Sequence, residues 1–201
     1  MENKIKVLFL DCDGVICLDN NWGGRTRKFK KWNDEHPHDH TSHWKDMDVH
    51  HRFDDFDRKA IKTLNSVLEQ TGAEIVVSSD WRKQATLEEL GEYFLAQGII
   101  KKPIAITTTF IGVTKPDNFE WVKKLQYEQE RSLEITGYLE KNPHITHWVA
   151  VDDLDMSLHE NWGLTNFVHT PRMSEGIKQL GIKEKIINFL TTMVDGMISD
   201  S

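Results

Sequence analysis

The chain begins with a short, mostly apolar run, Ile5-Lys6-Val7-Leu8-Phe9-Leu10, that stops at Asp11-Cys12-Asp13-Gly14. A run of that length closed by turn-forming residues predicts a buried strand. From Asp57 the apolar residues Ile61, Leu64, Val67 and Leu68 recur at helical spacing, with Asp54, Asp55 or Asp57 available as N-cap and Gly72 just past the end. Ala73-Glu74-Ile75-Val76-Val77 predicts a second strand, closed by Ser78-Ser79-Asp80-Trp81-Arg82. A second amphipathic helix runs through Leu87, Leu90, Tyr93, Phe94 and Leu95 to Gly98, followed by a β-rich run from Ile104 to Ile111. A helix beginning near Phe119 continues through Leu133 to Leu139, and His147 to Val151 forms a strand that ends at Asp152-Asp153. Asn166 to His169 gives a last short strand and Ile182 to Met193 a terminal helix. Strands alternating with helices imply an α/β fold with a doubly wound, mostly parallel sheet covered on both faces.

One stretch breaks the pattern. Asp19 to Arg52 is polar, rich in His, Trp, Asp and Lys, and has no clean period, so it reads as an insertion into a single domain that spans residues 1–201. Six of the 10 histidines, His36, His38, His40, His43, His50 and His51, lie in it. The rest of the composition is ordinary for a globular domain: 38% hydrophobic residues argue against disorder, and no window approaches the ~20 apolar residues that span a bilayer. The N-terminal Met1-Glu2-Asn3-Lys4 leads into a strand rather than a signal segment, and the two cysteines, Cys12 and Cys17, sit too close together for a disulfide framework. These features predict a cytoplasmic protein with reduced thiols and no membrane partner. Nothing in them points to a protein partner. A formal net charge of −7 lacks the overall basic field of a non-specific nucleic-acid binder.

Three of the predicted strands end in a small polar cluster: Asp11-x-Asp13, Ser78-Ser79-Asp80 and Asp152-Asp153. In an open α/β sheet the carboxyl ends of the strands form the ligand crevice, so these clusters converge in space. So many carboxylates in one crevice need compensation, and a hard divalent cation with oxygen ligands, Mg²⁺ foremost, supplies it.

Leu8-Phe9-Leu10-Asp11-Cys12-Asp13-Gly14-Val15 resembles the first motif of the haloacid dehalogenase (HAD) superfamily, and Val76-Val77-Ser78 and Val149-Ala150-Val151-Asp152-Asp153 resemble its second and fourth. More narrowly, Phe53-Asp54, then Thr71 to Arg82, then His147 to Asp153 are similar to the HAD domain of Swiss army knife RNA repair proteins, over about residues 4–172. The resemblance implies a Rossmann-like core and an Mg²⁺-dependent phosphatase working through an aspartyl-phosphate. Asp11 would attack phosphorus, and Asp13 would protonate the leaving group and then activate water. Ser78 would bind a phosphoryl oxygen. Asp11, the Asp13 carbonyl and Asp152 would ligate the metal, with Asp153 orienting ligands. The second aspartate, Asp13, goes with phosphatases and is missing from the dehalogenases of the superfamily. For the balancing cation of the third motif the resemblance offers Arg131, in Arg131-Ser132-Leu133-Glu134-Ile135, or Lys115, in Lys115-Pro116. Arg131 is preferred on its spacing from Asp152 and leaves Lys115 as a substrate contact.

Several residues keep two readings. Ser79 and Arg82 are candidate substrate contacts, but Arg82 could equally pair with a carboxylate. The histidine segment could be a small cap over the active site, with Trp22, Trp32 and Trp44 stacking on a ring of the substrate, a plain surface loop, or a zinc site. The run Arg25 to Lys31 carries five cations in seven residues, a plausible local contact to a phosphate backbone or simply a solvated face. The substrate expected is a phosphomonoester, either a nucleotide or the terminal phosphate of a nucleic acid. The rival class is a non-catalytic metal-binding or regulatory module on the same scaffold.

Overall fold

The computed structural model describes residues 4–36, 47–108, 120–157 and 161–192. Its centre is a five-stranded, wholly parallel sheet in the order β3-β2-β1-β4-β5, formed by β1 (Ile5–Leu10), β2 (Glu74–Val77), β3 (Ala105–Ile106), β4 (Ile145–Asp152) and β5 (Phe167–His169). The chain moves outward from β1 through β2 to β3, then returns to the other side of β1 with β4. The strand order therefore reverses between β1 and β4, the place where open α/β sheets bind ligands.

Side chains alternate across the sheet and so divide the core in two. Leu8, Leu10, Ile75, Val77, Val149 and Val151 face one cluster, together with α3 (Arg58–Thr71), α4 (Leu87–Gln97) and α6 (Ile182–Thr191). Val7, Phe9, Val76 and Ala150 face the other, where Ile135 and Tyr138 of α5 (Glu120–Lys141) cover them. Both faces are covered, as the alternating pattern requires. β1 and β2 are buried on both sides, and this accounts for their unbroken apolar runs.

The helix boundaries follow local chemistry. Asp57 caps α3 by accepting the N–H groups of Lys59 and Ala60, and Gly72 ends it in the left-handed conformation. Thr86 and Glu89 form a capping box at the start of α4.

The polar stretch after β1 is, over its described residues 19–36 and 47–52, more ordered than its lack of period predicts. It contains α1 (Gly24–Glu35) and the short α2 (Val49–Arg52). α1 buries no residue fully. Its anchor is polar instead: buried Asp54 accepts the backbone N–H of Gly23 at 3.3 Å and of Arg25 at 2.6 Å, and Lys28 donates to Asp55 at 2.6 Å and to the Phe53 carbonyl at 2.9 Å. A helix held this way leaves no apolar stripe to read in the sequence.

Candidate active site

Register places the polar strand ends side by side. The N–H of Asp11 donates to the Val151 carbonyl at 3.1 Å, and the N–H of Ser78 donates to the Leu10 carbonyl at 2.9 Å. Each residue thus continues its strand by one step, next to Asp152 at the end of β4. Phe9, Val76 and Ala150 point toward α5, so two positions later Asp11, Ser78 and Asp152 do so as well.

Arg131 comes down on this row from α5. Its Nη1 donates to Asp11 Oδ1 at 3.0 Å, to Asp152 Oδ2 at 2.8 Å and to the Ser78 carbonyl, while Nη2 lies 3.6 Å from Asp80 Oδ1. One buried guanidinium therefore bridges the ends of three strands. Between burial, which opposes its charge, and the aspartates, which favour it, the aspartates win and hold Arg131 firmly protonated.

After β1 the chain turns sharply: the Cys12 carbonyl accepts the N–H groups of Val15, Ile16 and Cys17, and Gly14 takes a φ of 68°. Only glycine fits here, because a Cβ would lie 2.8 Å from the Cβ, Cγ and Oδ2 of Asp153. That close approach completes the acidic group, in which carboxylate oxygens of Asp11, Asp152 and Asp153 lie within 4.8 Å of one another. Among the described residues it is the group with metal-holding geometry. Burial, only partly offset by Arg131, raises Asp11 and carries Asp152 well above the usual carboxylate range. Burial and the charge of Asp11 push Asp153 up to about 6. Among the described residues a single arginine faces these carboxylates, which leaves them short of positive charge, and their hard oxygen donors suit a divalent cation of the Mg²⁺ type.

Asp13 stands apart from that cluster. Its side chain is partly exposed and accepts the indole N–H of Trp81 at 2.9 Å. Burial first, then the charge of Asp11, push it up to about 6 against the pull of that indole. A carboxyl poised there can give up or take a proton near neutral pH. Trp81 follows the serine loop in a short 3-10 helix, Asp80–Lys83, and is fixed by stacking on Phe53 at 4.1 Å and on Phe56 at 5.2 Å. Ser79 is buried, and its hydroxyl caps the short helix by accepting the Trp81 N–H at 3.5 Å. The Ser78 hydroxyl is buried and has no partner among the described residues.

Arg82 is taken up by the scaffold. Nη2 meets Glu134 Oε2 at 2.5 Å and Nη1 donates to the Ser79 carbonyl at 3.1 Å, so of its two sequence readings the structure places it with a carboxylate. Asp80 is half exposed and pairs with Lys83 at 2.9 Å. Lys115 lies outside the described residues, as do His38, His40, His43 and Trp44. Of the remaining histidines in that stretch, His36 stacks on Trp32 at 4.0 Å and His51 tilts against it at 5.0 Å.

The sequence reading missed Trp81 and Glu134 as parts of the site. For Glu134 a signal existed, since Arg131 and Glu134 stand three apart on one helix and so share a face. For Trp81 the only signal was an aromatic immediately after a polar strand end.

A family model described as the HAD domain in Swiss Army Knife RNA repair proteins matches residues 7–179. The chain belongs to this family. Neither a curated protein nor a solved structure gives a match. As a HAD domain it carries the framework of phosphohydrolase-type chemistry, and HAD domains generally use Mg²⁺. Among the described residues no helix is long and apolar enough to cross a membrane.

Proposed function

We propose that this HAD domain is an Mg²⁺-dependent phosphatase acting on a phosphomonoester through an aspartyl-phosphate on Asp11. The observation that carries the reading is the gathering of Asp11, Asp152 and Asp153 around one point, with Arg131 paired to Asp11 and Asp152. Asp11, Asp152, Asp153 and the Asp13 carbonyl would hold the metal, which when bound neutralises charge on the phosphoryl oxygens.

A free oxygen of the Asp11 carboxylate attacks phosphorus as the ester P–O bond breaks, and Asp13 gives its proton to the departing alkoxide. Asp13, now ionised, takes a proton from water; the water oxygen attacks phosphorus, the Asp11–phosphorus bond breaks, and inorganic phosphate leaves. Arg131 balances the charge of Asp11 and its phosphorylated form, and the free hydroxyl of Ser78 donates to a phosphoryl oxygen. Arg82, tied to Glu134, braces α5 against the serine loop rather than meeting substrate.

The description of the matching family, which places such domains in RNA repair proteins, supports a nucleic-acid terminal phosphate or a nucleotide as the natural substrate. In this reading residues 19–52 are the cap that selects it. Hydrolysis of p-nitrophenyl phosphate with and without Mg²⁺, comparing wild type with Asp11→Asn, is the test. Metal-dependent turnover abolished in the variant is expected, and turnover equal in the two proteins would sink the proposal.

A further inference from the structure

The row of site residues extends one strand further than the motifs do. In β3, Ala105 packs with the α5-side cluster and Ile106 with the opposite one, so the next residue, Thr107, returns to the α5 side. Its N–H donates to the Val77 carbonyl at 3.0 Å, the same relation that Ser78 bears to Leu10 and Asp11 to Val151. Thr107, Ser78, Asp11 and Asp152 therefore stand side by side on four neighbouring strands, on the face that carries Arg131.

Within that row the two carboxylates each accept a hydrogen bond from Arg131, and the two hydroxyls have no such partner among the described residues. Among the described residues Ser78 Oγ and Thr107 Oγ1, both buried, have no hydrogen-bond partner, and Thr107 is 0% exposed. Buried hydroxyls are nearly always paired, so two unpaired ones on adjacent strands point to an oxygen acceptor that binds between them. The spacing suits one. Adjacent strands lie ~4.8 Å apart, and two O–H···O bonds of ~2.7 Å span up to ~5.4 Å, so one oxygen between the hydroxyls reaches both.

We propose that Thr107 is a further phosphoryl-binding residue of this site, its hydroxyl acting with that of Ser78 on the phosphoryl oxygens. The assignment rests on the phosphatase reading above for its ligand, and on the sheet register and the two unpartnered hydroxyls for its place.

The test compares wild type, Thr107→Val and Thr107→Ser in Mg²⁺. The readouts are the kinetics of p-nitrophenyl phosphate hydrolysis, binding of inorganic phosphate by calorimetry, and thermal midpoints without ligand. Valine keeps the shape and removes the donor, so KM and the phosphate Kd should rise about tenfold with a smaller change in kcat, and serine should restore both. The valine variant should melt no lower than wild type, and about 2 °C higher if the methyl group packs well, because an unsatisfied hydroxyl has been removed. Wild-type KM and phosphate affinity in Thr107→Val overturn the proposal, as does a loss in both that tracks a lowered melting point and that serine does not rescue. Wild-type protein without Mg²⁺-dependent turnover defeats the phosphatase reading instead. Phosphate binding then still decides Thr107: a tenfold loss in the valine variant supports the assignment and no loss overturns it.

Discussion

Trp81 donates its indole N–H to Oδ2 of Asp13 across 2.9 Å, joining the loop after β2 to the turn after β1. The bond fixes which way the carboxyl of the proposed proton donor faces, and Phe53 and Phe56 in turn fix the indole by stacking on it. Trp81→Phe keeps an aromatic ring in the stack and removes the donor. Because general acid catalysis matters most for poor leaving groups, kcat should fall about tenfold for a simple alkyl phosphate and less for p-nitrophenyl phosphate. Equal losses on the two substrates would place the role of Trp81 in packing alone.

Arg82 and Glu134 form a second long-range tie, with side chains only 5% and 3% exposed. Removing one partner of such a buried pair strands the other's charge and costs about 3–5 kcal/mol, whereas replacing both by apolar residues of similar volume costs far less. Chemical denaturation of Arg82→Met, Glu134→Leu and the double variant should show the double variant more stable than either single one. Additive losses across the three proteins would mean that the two side chains act separately.

The lesson for reading such a chain lies in which contacts are local. Asp11, Ser78 and Asp152 are legible because each ends an apolar run, and parallel register then sets the three side by side. The helical periods of α3, α4 and α6 are legible because each buries a stripe against the sheet. α1 is not legible: none of its residues is buried, and the groups that hold it, Asp54 and Asp55, lie 27 to 31 residues further along. Arg131 looks by itself like a surface cation on an amphipathic helix, and only the family resemblance singles it out. Trp81 and Thr107 acquire their meaning from partners, or from the lack of one, that no local pattern contains.

The cap of α3 gives a pH dependence of known sign. Burial pushes the Asp57 carboxyl up, but the N–H of Ala60, the ammonium of Lys178 and the N–H of Lys59 outweigh it and hold the group below its ordinary value. A carboxylate depressed in the folded state contributes stability that is fully present above about pH 4 and is lost as pH falls through the folded value. Asp57→Asn keeps an acceptor at the cap while removing the charge beside Lys178, which lies 3.1 Å away. The variant should be about 1 kcal/mol less stable than wild type at pH 7 and indistinguishable from it near pH 2. Urea titrations at the two pH values measure both gaps, and a gap that persists in acid would remove the charge from the explanation.

Arg131 and the proposed metal share one electrostatic task, which makes each a probe of the other. In chelator, Arg131→Met leaves Asp11 and Asp152 buried without their counter-charge, and a loss of about 3–5 kcal/mol is expected. Mg²⁺ at about a hundred times its Kd stabilises a one-site protein by about 2.7 kcal/mol, and the Arg131→Met protein should gain at least as much as wild type because its carboxylates are less neutralised. Asp152→Asn removes a ligand and one of the negative charges together, so it should tolerate chelator better than Arg131→Met and respond least to Mg²⁺. Thermal melts of the three proteins in chelator and in Mg²⁺ give the order directly. If Mg²⁺ shifts all three by the same amount, the cation is acting on the general surface charge and not at Asp11, Asp152 and Asp153.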